Sequence, residues 1–259
     1  MDLGLAGRKA IVCASSRGLG RGCATALAAE GVEVVINGLD AARLERAAEE
    51  IRRATGARII PVAADVSTHE GQEALLAACP EPDILVNNNG GPPFRDFREL
   101  DREKMIAGVV GNMVTPIELI QRVIDGMAAR KFGRIVNITS SSVKAPIGGL
   151  DLSSGARAGL TAFLKGVAQS VAASNVTINN ILPGSFDTDR LRPGHQRQAE
   201  QRGVDISVIR DEVTARIPAK RFGTPEEFGA ACAFLCSAQA GYITGQNLLI
   251  DGGNFPGAF

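Results

Sequence analysis

The chain has 259 residues, with 28 basic and 28 acidic side chains and a formal net charge of zero, so it carries no electrostatic footprint for nucleic acid or an anionic membrane and suits a single domain with one large core. No apolar run approaches the ~20 residues of a membrane span, and the opening "MDLGLAGRKAIVCASS" lacks the apolar core and cleavage pattern of a signal peptide, so a cytoplasmic protein is expected. Five scattered cysteines and two histidines give neither a disulfide framework nor a metal-ligand spacing, which leaves reduced thiols as the reading and no metal site.

Short β-branched runs alternate with longer helical stretches. "KAIVCA" (9–14) reads as a strand and 18–31 as a helix closed by Gly31. Residues 32–37 form a second strand and 41–56 a second helix, again closed by glycine. Further strands are expected at 57–66, 83–88, 133–140, 176–184 and 247–253, with helices at roughly 68–79, 101–130, 153–174 and 224–238. Apolar strands separated by amphipathic helices predict a parallel sheet covered on both faces, a doubly wound α/β (Rossmann-type) domain spanning 1–259. Residues 185–220 break the rhythm. They are polar and arginine-rich and follow the C-terminal end of a strand, where ligands bind in open α/β sheets, so they are expected to form a substrate loop or lid.

"CASSRGLG" (13–20) joins the first strand to the first helix. Gly18 and Gly20 allow close backbone approach to the helix start, whose free N–H groups favour a pyrophosphate. With the strand before it and the helix after it, this loop resembles the TGxxxGxG fingerprint of the short-chain dehydrogenase/reductase family, with Ala14 standing where the first Gly belongs. Other motifs recur in order: Asp65 in "AADVS", "NNNG" (87–90) with Asn89 in place of Ala, Asn112, Ser140, "PGSFDT" (183–188) and "GYITGQNLLIDGG" (241–253). The resemblance covers nearly the whole chain and is nearest to 3-oxoacyl-acyl-carrier-protein reductase-like members. It implies a cofactor site built from Ala14, Ser16, Arg17, Gly18, Leu19, Gly20, Asp65, Val66, Asn87, Asn88, Gly90, Arg157, Pro183, Gly184 and Thr188. It also implies Asn112 and Ser140 as catalytic residues.

The family's catalytic Tyr and, four residues on, its Lys correspond here to Ser153 and Arg157, as in an atypical subgroup of the family. The i, i+4 spacing keeps both on one helix face. The chemistry changes, because Tyr begins near pKa ~10 whereas an aliphatic hydroxyl is far weaker as an acid and shorter. Arg157 keeps the charge but not the geometry of Lys. The one tyrosine, Tyr242, lies in the C-terminal signature. Lys144, Asp151 and His195 are the other candidates for the proton, with His195 read as an exposed residue of the lid.

The resemblance implies an NAD(P)-dependent oxidoreductase moving hydride between nicotinamide and a carbonyl or alcohol, with proton delivery impaired or rerouted. The alternative is a cofactor-binding sensor or partner protein with little turnover. Gly38 stands where NAD-preferring members place an acid, Asp40 reads as the N-cap of the next helix, and Arg17 matches a basic residue that meets a 2′-phosphate. NADP is therefore favoured, with NAD possible in principle. The partner is a small carbonyl or alcohol substrate. A homodimer or homotetramer through 101–130, 153–174 and 247–253 is expected.

Overall fold

The β-branched runs of the sequence become seven strands, all parallel, in a computed structural model that describes residues 2–258. They are β1 (Lys9–Val12), β2 (Glu33–Gly38), β3 (Ile59–Ala63), β4 (Ile84–Asn87), β5 (Gly133–Ile138), β6 (Val176–Pro183) and β7 (Asn247–Ile250). The sheet order is β3-β2-β1-β4-β5-β6-β7, which reverses direction between β1 and β4. That reversal opens a crevice at the carboxyl ends of the strands, where ligands of this architecture bind.

Helices connect the strands over both faces: α1 (Gly18–Ala29), α2 (Ala41–Thr55), α3 (His69–Ala78), α4 (Arg102–Val109), α5 (Thr115–Ala129), α6 (Asp151–Val171), α7 (Arg192–Arg202), α8 (Ile206–Arg216) and α9 (Pro225–Cys236). Period-2 alternation splits the core between them. Val12, Val34 and Ile36 face the layer of α1, α2 and α9. Ile11 and Val35 face the layer of α3, α5 and α6. α1 and α9 touch backbone to backbone, since a Cβ on Gly22 would overlap the Pro225 carbonyl and one on Gly229 would overlap that of Gly22. Beside that contact, the fully buried Phe228 ring meets Phe186 edge-on at 5.2 Å.

Two stretches differ from the sequence expectation. The single helix expected over 101–130 is α4 and α5 joined by a π-turn at Val110–Val114, in which the Thr115 N–H donates to the Val110 carbonyl. The polar stretch 185–220 holds two helices. α7 ends at Gly203 in the left-handed region (φ 64°), and α8 begins at Asp205, whose carboxylate accepts from the Ser207 N–H at 2.8 Å.

α9 starts with a reciprocal cap: the Thr224 hydroxyl accepts from Glu227 N–H at 3.2 Å, and the Glu227 carboxylate accepts from Thr224 N–H at 2.9 Å. Thr224→Ala is expected to cost about 1 kcal/mol, read as a lower urea midpoint with unchanged m-value. Arg221 and the Thr224 N–H hold the Glu227 carboxyl at about 2. Its contribution is therefore fully present above the ordinary carboxyl range and is lost as pH falls through about 2. A carboxyl NMR titration with its midpoint near 4.5, the ordinary value, would contradict that pairing.

Candidate active site

The loop leaving β1 turns sharply at Ala14, which takes a positive φ of 44°. An L-residue there bears strain of about 1 kcal/mol relative to glycine, and the surroundings fix it. The Ala14 N–H donates to Asn37 Oδ1 at 3.2 Å, and its carbonyl accepts from Asn88 Nδ2 at 3.1 Å. Ser15 adds a bridge, donating its hydroxyl to Val12 O at 2.6 Å while accepting from Asn37 N–H at 3.0 Å.

α1 then begins at Gly18 with Arg17 as N-cap residue and no side-chain cap. The first N–H groups of the helix are thus left for a ligand. Gly20 lies against the turn, since a Cβ there would overlap Ala14 O and stand 2.8 Å from Asn88 Nδ2. Thr188 is brought over the same place, with its methyl 3.7 Å from where a Cβ on Gly18 would sit. Arg17 pairs with Asp189 at 3.7 Å. Ser16 packs on Gly38 at the end of β2, and Asp40 caps α2 by accepting from Arg43 N–H at 3.0 Å. The carboxylate after β2 is thereby engaged with its own helix. Asp65 is exposed and accepts from Ser67 N–H at 2.9 Å, with Val66 buried beside it.

At the carboxyl end of β4, Asn87 Nδ2 donates to Asn137 Oδ1 at 2.9 Å. Asn137 donates to Asn180 Oδ1 at 3.1 Å, and Asn180 donates to Asn247 Oδ1 at 2.8 Å. These four residues are in register across β4, β5, β6 and β7. Sequence reasoning missed the ladder, although asparagine recurs within each of three consecutive apolar runs. Asn89, where the family has Ala, ties the loop down by donating to Ser67 Oγ at 3.0 Å and to Gly111 O at 3.1 Å. Gly90 follows with open space at its Cα.

Asn112 lies in the π-turn, buried, donating to Gly108 O at 3.1 Å. Ser140 follows β5 as the cap of a short 3₁₀ turn, its oxygen accepting from Ser142 N–H at 3.1 Å. Ser153 and Arg157 are both buried on α6. Arg157 Nε donates to Ser153 Oγ at 3.3 Å, and Nη1 donates to Ile138 O at 2.6 Å. Arg157, with Ser153 bonded to it, thus reaches the carbonyl of Ile138, the last residue of β5. Burial, with Arg190 nearby, pushes the Arg157 guanidinium down to about 10. Gly184 packs against Asp251 after Pro183, fixing the exit of β6.

The other proton candidates differ in their surroundings. His195, expected to be exposed, is buried on α7, with its ring 5.9 Å from that of Phe222. Burial and Arg210 hold its pKa below the usual value. Lys144 sits over the Phe255 ring at 5.4 Å. Asp151 is exposed at the start of α6, where an acid complements the helix dipole. Tyr242 is fully exposed.

Among the buried side-chain atoms without a hydrogen-bond partner are two oxygens of the expected site residues, Asn87 Oδ1 and Asn112 Oδ1. Together with the uncapped helix start and the glycine cradle, they fit a dinucleotide.

A family model described as enoyl-(acyl carrier protein) reductase matches residues 13–254. The chain is 31% identical over 252 residues to the NADPH-dependent reductase BacG of Bacillus subtilis, covering 95% of this chain and 97% of that protein. It is 33% identical to the acetoacetyl-CoA reductase of Cupriavidus necator, again over 95% and 97%. The solved structure of L-sorbose reductase from Gluconobacter frateurii, complexed with NADPH and L-sorbose, is 30% identical and superposes with a TM-score of 0.94 over 99% of this chain and 100% of that one. With the doubly wound sheet, the open helix start and matches running almost end to end, the chain belongs to the short-chain dehydrogenase/reductase family.

Proposed function

We propose that this protein is an NADP(H)-dependent reductase of a small carbonyl compound, 3-oxoacyl reductase-like, whose proton is delivered without the family's Tyr. The reaction consumes NADPH, a proton and the carbonyl and yields NADP⁺ and the alcohol. The observation that carries the cofactor assignment is the pairing of an uncapped α1 start, flanked by Arg17, with an Asp40 carboxylate engaged in capping α2. An NAD site places a free carboxylate on the ribose 2′-OH. Here the charged side chain beside the open helix start is the cation Arg17, held only by a 3.7 Å pairing with the exposed Asp189, which suits a 2′-phosphate. That reductases such as BacG are NADPH-dependent supports the same choice.

Bound in the crevice, NADPH supplies the hydride. The N–H groups of Gly18, Leu19 and Gly20 would hold the pyrophosphate, Arg17 would face the 2′-phosphate, and Ser16 would line the same edge. Asp65 and Val66 would take the adenine side. Asn87, Asn88 and Gly90, with Pro183, Gly184 and Thr188, would take the nicotinamide side. Asn112, Ser140, Ser153 and Arg157 would surround the reacting carbonyl, with Arg157 beside the ribose. Residues 90–94, 144–150 and the 185–220 lid line the substrate pocket. The exposed Phe163 of α6, at 48%, and the exposed Leu248 of β7, at 39%, support assembly into a dimer or tetramer through these elements.

Fluorescence titration is expected to show NADPH binding at least tenfold tighter than NADH, with Arg17→Ala removing most of that difference. NADH binding tenfold tighter than NADPH would overturn the assignment. A second reading, a cofactor binder with little turnover, is favoured by one observation: both site hydroxyls are already engaged within the chain as acceptors, Ser140 from Ser142 N–H and Ser153 from Arg157. Measured NADPH oxidation with an acetoacetyl substrate separates the two.

A further inference from the structure

Arg157 and Arg190 converge on one small volume beside Gly91. A Cβ on Gly91 would sit 2.7 Å from Arg190 Nη2 and 3.4 Å from Arg157 Nη2, so both nitrogens flank the Gly91 backbone closely enough for one carboxylate to bridge them. Both are cations in the same place, and no carboxylate of the described residues pairs with either. The acids of the neighbouring segment are engaged elsewhere. Asp187 pairs with Arg210 at 3.0 Å, and Asp189 with Arg17 at 3.7 Å and Arg192 at 3.9 Å.

Arg157 is only 8% exposed, and two of its nitrogens are committed to the chain, Nε to Ser153 and Nη1 to Ile138 O. Its Nη2 is the free arm. Arg190 stands at the exposed mouth, held only by long contacts of 3.4 Å to the carbonyls of Gly91 and Pro92. A buried cation with no counter-charge, facing a second cation, is an unfavourable arrangement for the chain alone. An oxyanion between the two converts that repulsion into two charge-assisted hydrogen bonds. The absence of a side chain at Gly91 is what lets the Arg190 guanidinium lie this close, and each arginine then offers a carboxylate oxygen an N–H from a rigid, permanently charged plane.

We infer that Arg157 and Arg190 form an anion clamp at Gly91 for a carboxylate carried by the substrate, so that the protein's substrates are oxo acids. This rests on the NADP(H)-dependent reductase reading and adds the substrate class to it. The clamp holds the carboxylate end while the carbonyl faces Ser140 and Ser153, a fixed orientation that restricts how the carbonyl meets its hydride.

The test is calorimetric titration of the full-length, NADPH-loaded protein with oxamate, which carries one carboxylate, and with oxamide, its neutral counterpart. Oxamate is expected to bind at least tenfold tighter than oxamide. Arg190→Gln, at an exposed position, and Gly91→Ala, whose methyl would push the Arg190 guanidinium aside, are each expected to reduce that preference below threefold. NADPH affinity should stay within twofold of wild type in Arg190→Gln. Equal binding of the two probes by wild type, or binding of neither, overturns the clamp. A tenfold loss of NADPH affinity in Arg190→Gln assigns the pair to a cofactor oxygen and overturns it equally. If wild type fails to bind NADPH, the reductase reading falls, and the same oxamate-to-oxamide comparison on the protein alone still decides the clamp.

Discussion

Replacing Ser153 by Tyr and Arg157 by Lys together is expected to raise kcat for a neutral carbonyl substrate, such as ethyl acetoacetate, tenfold or more. A positioned general acid contributes roughly 10²–10⁴-fold, about 2.7–5.4 kcal/mol of barrier. A phenol near pKa ~10 is a far better donor than a serine hydroxyl. Hydride proximity is a separate contribution that the fold retains. Both changes are needed, because the Ser153 oxygen sits 3.3 Å from Arg157 Nε and a tyrosine ring added alone would meet the guanidinium. Steady-state NADPH oxidation reads the effect. The competing outcome is a wild type already near ~10 s⁻¹ that tolerates Ser153→Ala. The proton would then come from Lys144, Asp151 or His195. Two of these are held against aromatic rings, Lys144 over Phe255 and His195 beside Phe222, and would have to move.

Arg134→Ala is expected to cost about 3 kcal/mol or more of stability, read as a lower urea midpoint with unchanged m-value. Arg134 is 1% exposed and lies at the start of β5. Its guanidinium donates to Ser237 O at 3.0 Å, to Gly133 O and Asn175 O at 2.8 Å each, and to Asn175 Oδ1 at 3.2 Å, while stacking 4.4 Å from the centre of the Phe132 ring. Ser237 is the C-cap of α9, so the cation also meets the negative end of that helix. Alanine would strand several buried carbonyls at once and cut the tie between α9 and the turn before β6. A loss below about 1 kcal/mol would show that water replaces these bonds.

The sheet and its flanking helices were readable because each element carries its own period and its own stop signal. Val12, Val34 and Ile36 against Ile11 and Val35 show the two-sided burial directly, and Gly56 closes α2 in the left-handed region at φ 72°. α7 escaped because "RPGHQRQAEQR" has almost no apolar residue to mark a buried face, and only His195 and Ala199 are covered. Its boundary signals, Gly203 and Asp205, were nevertheless in the sequence. The π-turn at 110–114 escaped because one extra residue in a helix leaves no compositional trace. In the candidate site, the loop residues 14–20 were legible from their place between strand and helix. Arg190 and the asparagine ladder were not, since both depend on which strands and loops lie side by side, a property of topology and not of local pattern.

The ladder from Asn87 to Asn247 runs in one direction only, each amide giving its hydrogen to the next carbonyl. Its members will therefore age unequally. Hydrolysis of the Asn247 side chain to a carboxylate, at the exposed edge strand, keeps the acceptor that Asn180 needs and places the new charge toward solvent. The same conversion at Asn137, buried in mid-ladder, removes the hydrogen owed to Asn180 and sets a charge against an amide that cannot reach water. Time and heat, which wear asparagine preferentially, would thus be harmless at one end of the row and ruinous at its middle.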